Sequence, residues 1–270
     1  MNAKADEYLE INRASWNKLI ASHYQSDFYD VASFLQGKTS LNSIEAALLP
    51  NLKGKKILHL QCHFGLDSLS LARLGAEVVG VDLSDEAIAK ARELNDACGL
   101  NARFICSDIY TINEKLDERF DLVFSSYGTI GWLPDLERWA QLISRYLKPK
   151  GQFIFAEFHP VVWMYDNDFK KVEYSYFKAD PIIENQQGTY AAKEEEIEIE
   201  TVSWNHSLAE VLGSLLQAGL QLETFQEFDY SPYDCFANTV EISPGRFQIK
   251  GFEDKLPMVY ALRARKENNP

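Results

Sequence analysis

The feature that most constrains this chain is the alternation of short apolar runs with helical stretches between residues 56 and 158. "KILHL" precedes "GLDSLSLARLG", "EVVGVDLS" precedes "DEAIAKARELNDACGL", and "RFDLVFSSYG" leads through "LPDLERWAQLISRYLKPKG" to "QFIFAEFHP". Apolar runs of this length bounded by turn residues read as buried strands, and apolar residues three and four apart read as helix. Gly54, Gly75 and Gly99 punctuate the pattern, Ser84 is a good N-cap, and Pro149 with Gly151 closes the helix before the fifth strand. Strands alternating with helices of ~10–15 residues imply an α/β fold, a mostly parallel sheet with right-handed crossovers and helices on both faces. Ligands of such sheets sit outside the carboxyl ends of the strands, near the reversal of strand order.

The flanks follow other rules. Residues 5–22 and 41–49 have helical spacing. After His159 the chain becomes aromatic, and "KEEEIEIETVSW" alternates Ile197 and Ile199 with Glu196, Glu198 and Glu200. That period of two is a half-exposed antiparallel strand, and its acids are a solvated face rather than a site for a basic partner. A helix over 207–218 and two strands, "LQLETFQEF" and "PMVYALRAR", complete the pattern. No internal repeat or low-complexity linker interrupts it. The expectation is one domain over 1–270, with an N-terminal helical segment (1–50), a core (53–160), an insertion (161–204) and a last helix with strands (205–270).

Charge excludes some partners. The net charge is -13 and the pI about 4.9, and no Lys/Arg cluster offers phosphate a surface, so nucleic acid is not expected as a partner. No stretch approaches the ~20 apolar residues of a membrane span, and the N-terminus lacks an apolar leader. Cys62, Cys98, Cys106 and Cys235 are scattered without a CxxC pair, which fits reduced thiols and a cytoplasmic protein.

The chemistry concentrates at the strand ends. The first strand runs into the loop "QCHFG". The second ends at Asp82, about 20 residues further on, the spacing at which an acid meets the ribose hydroxyls of an adenosine cofactor. The third ends at "CSDI", where Asp108 could accept from an adenine amino group. One such acid is commonly only a helix cap, but two on adjacent strands beside a βα loop favour an adenosine site. A dinucleotide would place its pyrophosphate on the helix N-terminus, with glycines allowing close approach. This loop has one glycine, bulky residues at the approach positions, and Asp67 where phosphate charge would sit. S-adenosylmethionine carries no phosphate, so the loop argues for it and against NAD.

These residues resemble the class I S-adenosylmethionine-dependent methyltransferases. "ILHLQCHFG" is similar to their first motif, "VVGVDLS" to the second, "FICSDIY" to the third, and "FDLVFSSYGTIGWLPD…LKPKGQFIFAEF" to the later strands. The likeness is continuous over about residues 53–160. It implies a Rossmann-like seven-stranded sheet ordered 3-2-1-4-5-7-6, with the last strand antiparallel. It also implies that Asp82 holds the ribose, Leu83 and Ile109 lie on the adenine, and Asp108 accepts from its amine. Cys62 and Gly65 would lend backbone to the methionine portion, and Ser126 and Tyr127 would line the methionine and acceptor side. This chain departs from the pattern with His59 for the usual acid, Gln61 for the first glycine and His63 for the second. An "HLQCH" variant of this kind is similar to a subgroup of small-molecule or uncharacterised methyltransferases.

Other readings compete for the same residues. His59, Cys62 and His63 could in principle ligate a metal, but a strand residue and two turn residues need not converge, and no further ligand completes the set. No metal is expected, His59 and His63 read as polar loop supports or cofactor contacts, and Gln61 reads as a cofactor contact. A nucleophilic Cys62 would need a base and an orienting group, so a core thiol facing the cofactor reads better. The helix carrying Trp16 and Tyr24 packs on the sheet edge or forms a lid, and as a lid it would bring Trp16 or Tyr24 to the methionine carboxylate. His159, held extended by Pro160, faces the transferring methyl together with Tyr127 as a general base, or else hydrogen-bonds the insertion. The resulting expectation is methyl transfer from S-adenosylmethionine to a small-molecule acceptor by in-line attack. A binding module without turnover is the alternative, and an NAD-dependent oxidoreductase comes third.

Overall fold

In a computed structural model the described residues are 3–192 and 195–267. The chain opens with a long helix, α1 (Ala3–Gln25), and two short ones, α2 (Val31–Leu35) and α3 (Ser43–Ala46). The core then alternates β1 (Lys56–Leu60), α4 (Leu66–Arg73), β2 (Glu77–Asp82), α5 (Asp85–Ala97), β3 (Arg103–Cys106), β4 (Phe120–Ser126), α6 (Leu136–Tyr146) and β5 (Leu147–Phe158). A separate hairpin follows, β6 (Ile182–Gln187) and β7 (Glu198–Ser203), before α7 (Leu208–Gln217) and β8 (Leu220–Phe228). A second hairpin, β9 (Thr239–Ser243) and β10 (Arg246–Ile249), precedes the last strand, β11 (Val259–Lys266).

Seven strands form the central sheet in the order β3-β2-β1-β4-β5-β11-β8. β1 to β5 are parallel, whereas β11 runs antiparallel to both its neighbours. Counting only sheet strands, this is 3-2-1-4-5-7-6, the order implied by the family resemblance. The order reverses at β1, which pairs with β2 on one side and β4 on the other. Alternation along each strand divides the core. Leu58, Leu60, Val123, Phe153 and Phe155 pack under α6 and α7, while Ile57, Leu122, Phe124, Ile154 and Ala156 pack on the other face with α3 and α4.

Two helices are shorter than their spacing predicts. The helix expected over 41–49 is confined to Ser43–Ala46, because Pro50 disfavours helical backbone at the preceding residue and the chain turns at Ala47. The helix expected to close at Pro149 ends at Tyr146, and Leu147 is already extended at ψ 134°. Pro149 constrains Lys148 in the same way, so 147–151 join β5 as an irregular start.

The acidic run behaves as its alternation predicts. Within β7, Ile199 is buried between exposed Glu198 and Glu200, and the strand pairs antiparallel with β6. The first residues of that run, 193 and 194, lie outside the described residues. α1 lies along this hairpin. Asn12 clamps Val202 by donating from Nδ2 to its carbonyl at 2.8 Å and accepting from its N–H at 2.9 Å, and Ser15 Oγ donates to Glu200 O at 2.6 Å. Among the described residues no helix is long and apolar enough to cross a membrane.

Candidate active site

A cavity of about 1310 Å³ opens at the carboxyl ends of β1 to β4, under α1 and the β6–β7 hairpin. That exceeds the roughly 300–1,000 Å³ typical of one small ligand, so two molecules can share it.

One half is built on the β1–α4 loop. Gln61 and His63 have φ of 53° and 51°, and Gly65 has φ of 84°. The two positions where the family pattern has glycines thus keep left-handed backbone with larger residues, each at a cost of ~1–3 kcal/mol. Gly65 needs its glycine for a second reason, since an added Cβ would sit 2.7 Å from the Phe104 ring. Asp82, at the end of β2, pins this loop. Its Oδ2 accepts from His63 N at 2.7 Å and its Oδ1 from Ser84 N at 2.9 Å. Burial pushes its carboxyl up, opposed by these backbone donors. Leu83 and Ile109 line the same wall.

Two acceptors here lack partners. Asp108 Oδ1 accepts from Tyr110 N at 3.1 Å, while its buried Oδ2 accepts from no group among the described residues. Gln61 Nε2 donates to Thr129 O at 2.8 Å, and its buried Oε1 is unpaired. Both residues line the cavity. An unpaired buried acceptor costs about 1–3 kcal/mol. The adenine amine and the methionine ammonium of S-adenosylmethionine are donors of the kind these atoms lack. The residues present therefore fit that molecule, with Asp82 free to meet ribose hydroxyls on its cavity side.

The other half is aromatic. Tyr127 follows β4 with a strained φ of 33°, and its ring lies 5.2 Å from that of Tyr233 and 5.7 Å from that of Phe158. Its hydroxyl donates to Glu45 Oε2 at 2.6 Å. Glu45 is fully buried, its other oxygen accepting from Asn42 N at 2.5 Å, and burial with Asp67 nearby raises its pKa to about 7. Asp67 accepts from Ser40 Oγ at 2.6 Å and from Ser126 Oγ at 3.0 Å. Beneath this half, buried Glu157 accepts from the N–H groups of Gly128, Thr129 and Ile130 and so fixes the loop after Tyr127.

The loop and α1 meet through histidines. His63 Nε2 lies 3.3 Å from His23 Nδ1, and His23 Nε2 lies 2.7 Å from Thr189 Oγ1 of the insertion. Burial lowers both pKa values, that of His23 to about 4, so the pair is neutral. Trp16 stands edge-on to His63 and to Trp132, with centroids at 5.6 and 5.4 Å, and lines the cavity.

Of the residues singled out from sequence, Trp16, Gln61, Cys62, His63, Gly65 and Asp82 converge on the cavity, as do Leu83, Asp108, Ile109, Ser126 and Tyr127. Tyr24 does not. It packs against Phe64 at 5.9 Å and under Lys90 Nζ at 4.8 Å, toward α5. His159 does not either. Alternation along β5 carries Phe158 to the cavity and sends His159 the other way, where Nε2 meets Glu227 Oε1 at 2.9 Å and Nδ1 accepts from Val161 N. It orders the chain after β5 and does not line the cavity. Cys62 is a buried core thiol whose pKa burial raises, and His59 is held by Ser68 at 2.8 Å. Among the described residues no three metal-ligating side chains could hold an ion. Sequence reasoning missed Glu45, Asp67 and Glu157 as parts of the site. Only "NSIE" carried a signal for Glu45, and that signal is a helix cap.

Comparison with known proteins agrees with this geometry. Residues 57–151 match a family model described as a methyltransferase domain. The chain is 31% identical over 155 residues to an uncharacterized protein of Haemophilus influenzae, covering 54% of this chain and 61% of that one. It is 33% identical over 105 residues to a ubiquinone biosynthesis O-methyltransferase of Coxiella burnetii, covering 39% of this chain and 44% of the relative. It therefore spans less than two thirds of these curated relatives. A crystal structure of an S-adenosylmethionine-dependent methyltransferase from Clostridium acetobutylicum superposes with a TM-score of 0.57 at 18% identity, covering 94% of this chain and 96% of that one. Residues 57–151 are thus similar to the methyltransferase-domain family, and the sheet has the strand order of the class I S-adenosylmethionine-dependent fold.

Proposed function

We propose that this protein transfers a methyl group from S-adenosylmethionine to a small-molecule acceptor bound in the aromatic half of the cavity. The observation that carries the reading is the pair of acids at the ends of adjacent parallel strands, Asp82 and Asp108, facing one cavity with Asp108 Oδ2 unpaired. S-adenosylmethionine, when bound, supplies an electrophilic methyl on a good leaving group. The protein then has mostly to orient and desolvate. Asp82 and Asp108 hold the adenosine, Gln61 and the loop backbone hold the methionine portion, and Trp16 excludes water above them. Residues 1–50 are the lid, 53–160 the cofactor-binding core, 161–204 an insertion over the acceptor pocket, and 205–270 the closing helix and strands. The Asn12–Val202 and Ser15–Glu200 hydrogen bonds support lid and insertion acting as one cover. A net charge of -13 and the aromatic cavity favour a small acceptor over nucleic acid, and a cytoplasmic site of action fits four scattered cysteines without a CxxC pair.

The test is calorimetry with S-adenosylhomocysteine, the reaction product. The wild type binds, and Asp82→Ala weakens binding about ten- to a hundredfold, the value of a lost charge-assisted pair of about 1.5–3 kcal/mol. Unchanged affinity in Asp82→Ala removes the ribose assignment, and no binding by the wild type removes the whole reading.

A further inference from the structure

Resting on that function, we propose that Tyr127 and Glu45 form a proton relay and that the acceptor is an aromatic hydroxyl compound whose oxygen meets Tyr127 Oη. The geometry carries this. Tyr127 stands in the cavity wall at the end of β4, beside Ser126 and Gly128. Its hydroxyl proton is already committed to Glu45 Oε2 at 2.6 Å, so the phenolic oxygen has lone pairs to offer a donor from the cavity. Glu45 is buried behind the tyrosine and absent from the cavity wall, and the Tyr127 hydroxyl links it to the cavity. A left-handed φ of 33° at a tyrosine is strain of the sort held in place at working sites.

The step balances. The acceptor oxygen bonds to the methyl carbon as the sulfur–methyl bond breaks and its electron pair stays on sulfur. The acceptor's proton passes to Tyr127 Oη while Tyr127's own proton passes to Glu45 Oε2. Glu45 titrates near neutrality, so it can be ionised to receive the proton and release it afterwards. The titratable groups facing it are Tyr127, Asp67 of α4 and Tyr233 of the segment after β8.

The surroundings choose the acceptor class. The rings of Tyr127, Tyr233, Phe158 and Phe28 surround the space next to Tyr127, with Phe28 and Tyr233 stacked at 5.4 Å, which suits an aromatic ring. A neutral hydroxyl needs what the dyad provides, a base at the moment of attack.

The experiment uses the full chain with S-adenosylmethionine and three probes, 4-cresol, 4-nitrophenol and benzylamine, following S-adenosylhomocysteine release. 4-Cresol must lose its proton in the reaction, whereas 4-nitrophenol ionises readily in solution. We expect Tyr127→Phe and Glu45→Gln to slow 4-cresol by about a hundredfold or more and 4-nitrophenol by less than about tenfold, because base catalysis is worth ~10²–10⁴. Equal losses on both phenols overturn the relay, as does faster turnover of benzylamine or no turnover of any probe by protein that binds S-adenosylhomocysteine. The second readout needs no turnover. Infrared difference spectra between pH 5 and 8 should show a protonated carboxyl band that Glu45→Gln deletes and Tyr127→Phe shifts. A band unaffected by Tyr127→Phe breaks the link between the two residues. Failure of S-adenosylhomocysteine binding would instead remove the methyl-transfer reading on which the relay rests.

Discussion

Replacing Glu45 by Gln should stabilise the protein at neutral and alkaline pH, although it alters a residue of the site. Burial raises the folded carboxyl from 4.5 to about 7, so folding favours the protonated form. The associated stability is fully present below about pH 4.5 and is lost as pH rises through 7. At about 1.4 kcal/mol per pH unit, that displacement amounts to about 3 kcal/mol withheld from the wild type at pH 8. Gln is neutral throughout and escapes the loss. Its carbonyl can still accept from Asn42 N, and its amide can donate to Tyr127 Oη, so both existing contacts keep a partner. The variant should match the wild type or fall slightly below it at pH 5, and exceed it by about 3 kcal/mol at pH 8. Urea unfolding at pH 5, 6, 7 and 8, followed by tryptophan fluorescence, measures this difference if the denaturant slopes agree. Other titrating groups are common to both proteins and largely cancel. A difference that stays flat from pH 5 to 8 would refute the reasoning, because Glu45 would then be ionised in the folded state like an exposed glutamate.

Three further outcomes are expected. Asp108→Asn should weaken S-adenosylhomocysteine less than Asp82→Ala in the same calorimetry, since Asn retains one acceptor oxygen and Leu83 and Ile109 still bury the adenine. The reverse ranking exchanges the roles of the two acids. His159→Gln should keep S-adenosylhomocysteine affinity within about threefold while lowering unfolding stability by about 1–2 kcal/mol through the bonds to Glu227 and Val161. Neutral His23 and His59, both lowered to about 4, must become charged as pH falls from 6.5 toward 4, so these two withdraw stability over that range, opposite in sign to Glu45. His23→Gln should remove its share of that loss in pH-dependent thermal melts, and an unchanged slope would show that His23 is not buried neutral.

The parts of the molecule legible in sequence are those where one local rule acts alone. β1, β2 and β4 are buried on both faces, so they read as continuous apolar runs, and the helix between each pair reads by its own period. The β9–β10 hairpin was not legible, because four of the five residues of β9 are exposed and no inside-outside alternation marks the strand. Asp82 and Asp108 could be found because the fold places strand ends at predictable distances in sequence. Glu45 could not, since its partner Tyr127 lies 82 residues away and only tertiary packing brings them together. His159 shows the opposite case. The period of two along β5 already separated it from Phe158, and Pro160 fixed its backbone without deciding which face its ring would take.

The β1–α4 loop shows why departures from a pattern must be read in three dimensions. Gln61 and His63 stand where glycines would relieve left-handed backbone, and each retains that backbone at ~1–3 kcal/mol. What glycine cannot do is fill space. The His63 ring contacts Trp16, His23, Tyr29 and Phe64, with centroids between 4.3 and 5.6 Å, and these come from α1, from the turn after it and from the loop itself. His23 in turn reaches Thr189 of the insertion. A single aromatic pair contributes about 0.5–1.5 kcal/mol beyond burial, so four such contacts are of the size needed to offset the strain. The unusual loop and the aromatic side of α1 therefore form one structural unit. A glycine at 63 would relax the backbone and leave α1 without the ring against which Trp16 and His23 are packed.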